Sequence, residues 1–302
     1  MDEERDELAR RFEEQRDRLR AVAYRLLGSA SEAEDAVQEA WLRLGRVDAA
    51  QVENLPAWLR TVVSRICLDL LRSRAARREE LAGQQPPDQP WEDGAGEGAD
   101  PEREALLVES VGRALLVVLD RLGPAERVAF VLHDLFAVPF EQIAPIVERT
   151  PVAAKKLASR ARHRVHGVPG QLAGARPAGE LAGHRRVVEA FLAASRGGDL
   201  AGLLAVLAPD VVRRADPAAL PAGVALESRG ARAVATETLV FGRRARWAEA
   251  ALVDGAVGVV VAPRGRLVLV LAVTVAEDRI AAYEVIADPA RLARLDLAVL
   301  GD

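Results

Sequence analysis

The sequence predicts a multidomain protein: two all-α domains, a helical bundle and then a helix-turn-helix, followed by an α+β domain. Three observations predict it. Apolar residues recur at three- and four-residue spacing through residues 5–80, and again from about residue 102 to 166. Beyond residue 184 the pattern changes to short Val-rich runs divided by Gly or Asp, which is the mark of strands. Two stretches rich in Gly, Pro and Ala, 81–101 and 168–183, separate the blocks. The expected organisation is a domain at 1–80, a linker at 81–101, a domain at 102–167, a linker at 168–183 and a domain at 184–302.

In the first block, Leu19, Val22, Ala23, Leu26 and Leu27 form one helical stripe that Gly28 ends. Ser31 is expected to open the next helix, with Glu34 completing a capping box. Its stripe is Ala36, Val37, Ala40, Trp41 and Leu44. Pro56 opens a third helix carrying Trp58, Leu59, Val62, Val63, Ile66, Leu70 and Leu71. In the second block, residues 139–147 form a short amphipathic helix with Ile143, Ala144, Ile146 and Val147 inward, although Pro145 interrupts it. Residues 148–150 are a tight turn, with Glu148 where glycine is often used. Thr150 caps the next helix and Pro151 takes its first position. That helix, 151–165, is expected to turn Val152, Ala153, Leu157, Ala161 and Val165 inward. In the third block, 184–195 and 200–207 read as helices, and 211–214, 246–252, 257–262, 267–275 and 279–286 as strands.

Composition excludes several classes of function. Half of the 302 residues are hydrophobic, enough to build cores in two or three domains. Cys67 is the single cysteine, and the four histidines lie at no metal-ligand spacing, so neither a disulfide framework nor a metal or other cofactor is expected. The first residues are charged, unlike a signal peptide. The longest apolar run, residues 267–276, is about ten residues against the roughly 20 of a membrane helix. A cytoplasmic protein without membrane contact is expected. The net charge of −4 hides an uneven distribution. Residues 81–110 hold eight acids against one base, whereas residues 149–166 hold six Lys/Arg and no acid.

The helix-turn-helix carries the strongest functional signal. Its second helix presents Lys155, Lys156, Ser159, Arg160, Arg162 and Arg164 outside the apolar stripe, a pattern suited to phosphates and guanine edges. Residues 58–78 form a second basic stretch, with Arg60, Arg65 and Arg72 near Trp58 and Asn54; cations beside an aromatic ring suit single-stranded nucleic acid. On the second helix, Glu32, Glu34, Asp35 and Glu39 share one side with Gln38, a docking face for a basic partner.

RLLGSASEAEDAVQEAWLRL, LPAWLRTVVSRICLDLLRSR and the stretch from LDRLGPAERV to SRARHRV resemble regions 2 and 4 of the extracytoplasmic-function sigma factors. The resemblance implies a subunit that binds core RNA polymerase and directs promoter-specific initiation. It implies docking on polymerase by Asp35, Gln38, Glu39 and Trp41. It places Asn54, Trp58, Arg60, Arg65 and Arg72 on the −10 element, and Lys155, Lys156, Ser159, Arg160, Arg162 and Arg164 on the −35 element of promoter DNA. The third block resembles a SnoaL-like domain, an α+β cone with a pocket, which a subgroup of these factors carries as a tail. Asp288, Pro289, Arg291 and Leu292 stand where that subgroup has an Asn-Pro-Asp-Lys-Leu motif, with its Asn and its Asp replaced and Arg in place of Lys. Residues 216–219 replace its Asp-Gly-Gly-Gly, and Pro90-Trp91-Glu92 is what remains of a linker Trp-Leu-Pro. An intramolecular contact of the tail with the sigma domains follows, through Asp288–Leu292, with Arg291 facing the acidic linker. No enzyme is expected. Asp210, Asp216, Asp254, Glu284 and His184 form no recognisable acid–base dyad by spacing, and Trp247 and Tyr283 line either a pocket or core. The competing readings are a repressor with a ligand-sensing tail and a fused SnoaL-like enzyme; the first leaves residues 5–80 unexplained.

Overall fold

The computed structural model describes residues 2–47, 52–81, 112–167, 178–221, 223–240 and 242–301. The acidic linker, Pro90-Trp91-Glu92 and most of the second linker lie outside these residues. The chain divides into two compact units, Met1–Ser110 with Leu119–Arg162, and Val111–Val118 with His163–Asp302.

The first unit opens with α1 (Asp2–Leu27), α2 (Ala30–Leu44) and α3 (Leu55–Leu81), each packed on the other two. Gly28 ends α1 at φ +71°, a conformation that costs glycine nothing. The extended residue that follows, Ser29, caps α2 by accepting the Glu32 N–H at 3.4 Å. The cap is therefore Ser29 and not the expected Ser31, which lies inside the helix: the left-handed turn at Gly28 already points the chain into α2. Asn54 caps α3, its Oδ1 accepting the Ala57 N–H at 3.1 Å. The apolar stripes meet in a core of Phe12, Leu26, Leu44, Leu59 and Leu68, each at most 1% exposed. Cys67 is buried among them, and burial pushes its thiol up to about 12, so it packs as a small hydrophobe.

Next come α4 (Arg113–Asp120), most of which belongs to the second unit, then α5 (Pro124–Phe130), a π turn at Val131–Leu135, α6 (Phe140–Val147) and α7 (Pro151–His166). α3 packs against both α5 and α6. α6 buries Ile143, Ala144, Ile146 and Val147 and runs through Pro145. Glu148 ends it in the left-handed region at φ 56°, and Thr150 Oγ1 accepts the Ala153 N–H at 3.2 Å to start α7. The inward face of α7 is Ala154, Ala158, Ala161 and Val165. Of the residues expected there, Val152 is 66% exposed, and Ala153 and Leu157 are half-buried. Alanines at 154, 158 and 161 let the helix backbone approach its neighbours closely, and that fixes a rotation leaving Val152 in water.

The second unit adds α8 (Ala178–Gly197), α9 (Leu200–Val206), β1 (Leu207–Ala215), β2 (Glu227–Arg229), α10 (Ala231–Val240), β3 (Ala248–Val253), β4 (Ala256–Val261), β5 (Leu269–Ala276), β6 (Arg279–Ile286), α11 (Pro289–Arg294) and β7 (Leu297–Ala298). The sheet has seven strands in the order β2-β1-β6-β5-β4-β3-β7. Only the β1–β6 pairing is parallel. Asp254-Gly255, both at positive φ, close the β3–β4 hairpin, as a two-residue turn between right-twisted strands requires. Gly258 lets β5 approach, since a Cβ there would sit 2.6 Å from the Leu271 carbonyl oxygen. α8 covers the sheet with Val188 and Phe191, which meet Val211, Val257, Val259 and Ile280 in the core. This is the expected α+β architecture, with corrections at its edges. The strand expected from 246 starts at Ala248, because Gly242–Trp247 forms 3-10 turns; β2, α10, α11 and β7 were not expected at all.

Candidate polymerase and nucleic-acid interfaces

On α2, Asp35 and Gln38 are exposed, and Leu42, half exposed, lies on the same face at i, i+3, i+7 spacing. Leu42 was missed by sequence reasoning; the available signal was an apolar residue outside the buried stripe. Glu39 pairs with Arg43 at 2.8 Å. Trp41 is half-buried, its ring 4.9 Å from that of Phe12, so it packs as much as it presents. The other two acids of this helix face elsewhere: Glu34 holds Arg16 and Arg20 at 2.8 and 2.7 Å, and Glu32 holds Arg74.

The basic residues of α3 are occupied. Arg60 donates to Gln142 Oε1 at 2.5 Å, Arg65 to the Pro145 carbonyl at 3.0 Å, and Arg72 to Glu148 Oε2 at 2.9 Å. All three acceptors lie on α6 or at its end, so the first helix of the helix-turn-helix lies along the basic edge of α3. Burial, with the charge of Arg18, lowers the pKa of Arg60, which stays a cation. The left-handed Glu148 thus has a partner, which a glycine there would lack. Asn54 is spent on capping, and Trp58 is half-buried beside it.

The recognition helix α7 differs. Lys155, Lys156 and Arg160 are exposed, and among the described residues none of them forms an ion pair. Ser159 is half-buried between them. Arg162 pairs with Asp134 at 2.6 Å, and Arg164 is exposed near the helix end. Arg127, 2% exposed, reaches Asp120 at 3.4 Å and the Arg25 carbonyl, tying the helices of this unit together.

In the tail, two segments 75 residues apart meet. Asp288 caps α11, accepting the Arg291 N–H at 2.8 Å, and Pro289 takes the first helical position. Arg291 pairs with Asp216, and with Glu284 at 2.8 Å. Burial alone would raise the Asp216 carboxyl. The N–H groups of Asp288 and Ala287 and the Arg291 guanidinium together hold it below the usual carboxylate range. Leu292 is 9% exposed. The segment therefore locks the end of the tail to its own sheet; the acidic linker it was expected to face lies outside the described residues. His184 lies 3.8 Å from Glu180, and Asp254 accepts the Asp296 N–H at 2.7 Å, so neither is placed as a catalytic base.

Within the second unit, α4 is bound to the tail's sheet. The Arg113 N–H donates to Glu249 Oε2 at 2.6 Å, and its guanidinium lies 5.6 Å over the Trp247 ring. The Val299 N–H donates to the Val165 carbonyl at 2.7 Å.

An acid-faced helix and a basic helix in one bundle, followed by a helix-turn-helix with an exposed basic recognition helix, define a sigma-type architecture. Residues 11–77 match the family model of sigma-70 region 2, and residues 112–165 that of sigma-70 region 4. The chain is 45% identical over 206 residues to the ECF RNA polymerase sigma factor SigJ of Mycobacterium tuberculosis, covering 68% of this chain and 64% of that one. It is 39% identical over 200 residues to that organism's probable ECF RNA polymerase sigma factor SigI, covering 65% of each. The chain thus spans about two thirds of the length of these relatives. The crystal structure of SigJ aligns over 94% of this chain and 98% of its own, at 34% identity and a TM-score of 0.44. The chain thus carries matches to sigma-70 regions 2 and 4 and is similar to extracytoplasmic-function sigma factors.

Proposed function

We propose that this chain binds core RNA polymerase and directs promoter-specific initiation, with its C-terminal α+β domain modulating that activity. Asp35, Gln38, Glu39 and Trp41 on α2, with Leu42 beside them, dock on polymerase. Asn54, Trp58, Arg60, Arg65 and Arg72 meet the −10 element, and Lys155, Lys156, Ser159, Arg160, Arg162 and Arg164 the −35 element. The organisation is two sigma domains at 1–80 and 102–167, joined by the linker at 81–101, with the tail at 184–302 behind the linker at 168–183. The protein acts in the cytoplasm and is not an enzyme. Among the described residues no helix is long and apolar enough to cross a membrane.

The observation that carries the reading is the exposed cation set of α7, Lys155, Lys156 and Arg160, behind an exposed acidic face on α2. Fixed cations on a groove-sized helix suit DNA, and a carboxylate beside an exposed leucine suits a basic protein surface. The experiment is co-purification with core polymerase. Asp35→Arg combined with Gln38→Ala should abolish it, because the reversed charge repels the same partner. Wild-type recovery of the double variant would remove α2 as the docking face.

Modulation by the tail is supported by α4, which lies inside the region 4 match and is held to the tail through Arg113 and Glu249. Asp288, Pro289, Arg291 and Leu292 serve that role by keeping the end of the tail folded. Chains ending just before Ala287 and near Val168 should differ from the full chain in run-off transcription. Equal activity of all three at equal concentration would make the tail a passenger.

A further inference from the structure

The tail holds a cavity of about 110 Å³ between α8, α10 and the sheet. Its walls are mostly apolar, from Phe191, Val259, Val261, Leu269 and Leu271. One end is polar. The Arg213 side chain, 4% exposed, pairs with Glu237 at 2.5 Å and donates to the Ala225 carbonyl at 2.9 Å. Tyr283, the cross-strand neighbour of Arg213 in the β1–β6 pairing, sits beside this pair with its hydroxyl 3.0 Å from Thr238 Oγ1. Sequence reasoning named Tyr283 but not Arg213, Glu237 or Thr238. Alternation along β1 was the signal, because it puts Arg213 on the inward face with Val211.

The direction of the protons is determined. Thr238 has one hydroxyl proton and gives it to the Val234 carbonyl at 2.8 Å. Tyr283, which lines the cavity, must therefore be the donor to Thr238, and its oxygen keeps its lone pairs for accepting. Burial pushes this phenol up to about 12, so it keeps its proton. Glu237 is an acceptor too, and Arg213 a donor. The pocket is partly open and Glu237 half-buried, but Arg213 is buried; an unfilled apolar pocket and a desolvated cation each cost stability, and an apolar side chain filling the space would remove both costs. Their presence together fits a site kept for a ligand.

We propose that this cavity binds a small, uncharged, single-ring molecule carrying a hydroxyl group, of the phenol class. The volume sets the size: an apolar cavity of about 150 Å³ takes benzene, whereas drug-sized ligands need roughly 300 Å³ or more. The ion pair sets the charge, since Arg213 and Glu237 cancel and an ionised ligand would enter without a counterion. The two acceptors set the polar group. A hydroxyl donates to Tyr283 or to the carboxylate oxygen of Glu237 that Arg213 leaves open and accepts from Arg213, whereas a carbonyl can donate to neither.

The test uses the full chain and three probes of one shape, phenol, toluene and benzoate, with binding read by titration calorimetry and by shifts of methyl resonances of the cavity valines. Phenol should bind saturably, and toluene and benzoate about tenfold more weakly or worse, through the absence of one buried hydrogen bond or the burial of one unpaired charge. Ala219→Leu, which fills the cavity, should abolish binding of all three. Glu237→Gln leaves Arg213 as an uncompensated cation and should reverse the preference from phenol to benzoate. Should that variant not fold, Tyr283→Phe decides: it keeps the ring and should narrow the gap between phenol and toluene. Absence of saturable phenol binding, equal binding of the three probes, or a phenol affinity indifferent to Ala219→Leu would each overturn the proposal.

Discussion

Helices α3 and α7 both carry a row of cations, yet the structure uses the two rows differently. On α3, Arg60, Arg65 and Arg72 donate to Gln142, Pro145 and Glu148 of the neighbouring helix-turn-helix. On α7, Lys155, Lys156 and Arg160 stand in water. Each of these guanidiniums already donates to α6 or its end, Arg72 to a carboxylate, so a nucleic acid meeting α3 competes with α6. One meeting α7 displaces only counterions. Sequence pattern alone makes these rows look equivalent; their partners make one ready and the other held.

The largest expected effect lies on the ready side. Joint replacement of Lys155, Lys156 and Arg160 by Ala should weaken promoter binding by well over a hundredfold, at about 1–3 kcal/mol for each base-reading side chain removed. Mobility shift on promoter fragments checks this, and a weakening of less than tenfold would mean α7 is not the reader. Single substitutions sharpen the assignment within the helix. Arg160→Ala, early in α7, should relax specificity at one position, whereas Arg164→Ala should weaken all sequences alike and lower the salt slope by about 1. Uniform weakening by Arg160→Ala would exclude Arg160 as a base reader.

The held side predicts smaller effects of opposite sign. Arg72→Ala should lower affinity for single-stranded −10 DNA, while Glu148→Ala should raise it by a few fold, because an exposed ion pair is worth about 0–1 kcal/mol. Permanganate footprinting of the melted strand and fluorescence anisotropy read both. Equal weakening by the two variants would mean that Glu148 does not compete with DNA.

The smallest effect belongs to the tail and serves as a control. Asp216→Asn, which keeps one oxygen to accept the Ala287 and Asp288 N–H groups, should lower the stability of the tail by about 1 kcal/mol. Because the folded Asp216 carboxyl sits below its ordinary value, its contribution is present at neutral pH and is lost as pH falls through that lowered value. The wild type should therefore lose more stability on acidification than Asp216→Asn, and neither DNA surface should change.

Local pattern was enough for much of this architecture and too little for its long-range pairings. Ile143, Ala144, Ile146 and Val147 were legible because a helix two turns long repeats its stripe clearly. The rotation of α7 was not, because alanines at 154, 158 and 161 bury by close approach, whereas the larger Val152 attracts the eye and faces water. Strands of three and two residues, β2 and β7, are too short to show alternation. The bonds from α3 to α6 join residues 76 to 82 apart, and no period in the sequence reports such a pairing. For the same reason the sequence placed Arg291 opposite the acidic linker, while the fold gives it Asp216 and Glu284.

The central claim is that this chain confers promoter choice on polymerase. Its most direct test is run-off transcription by purified core polymerase on fragmented genomic DNA, with the RNA 5′ ends sequenced, adding the full chain or its Lys155/Lys156/Arg160→Ala variant. The expected result is a small set of discrete start sites that appear with the wild-type chain, share a common element about 35 base pairs upstream, and vanish with the variant. Start sites unchanged from core polymerase alone, or retained in full by the variant, would contradict it.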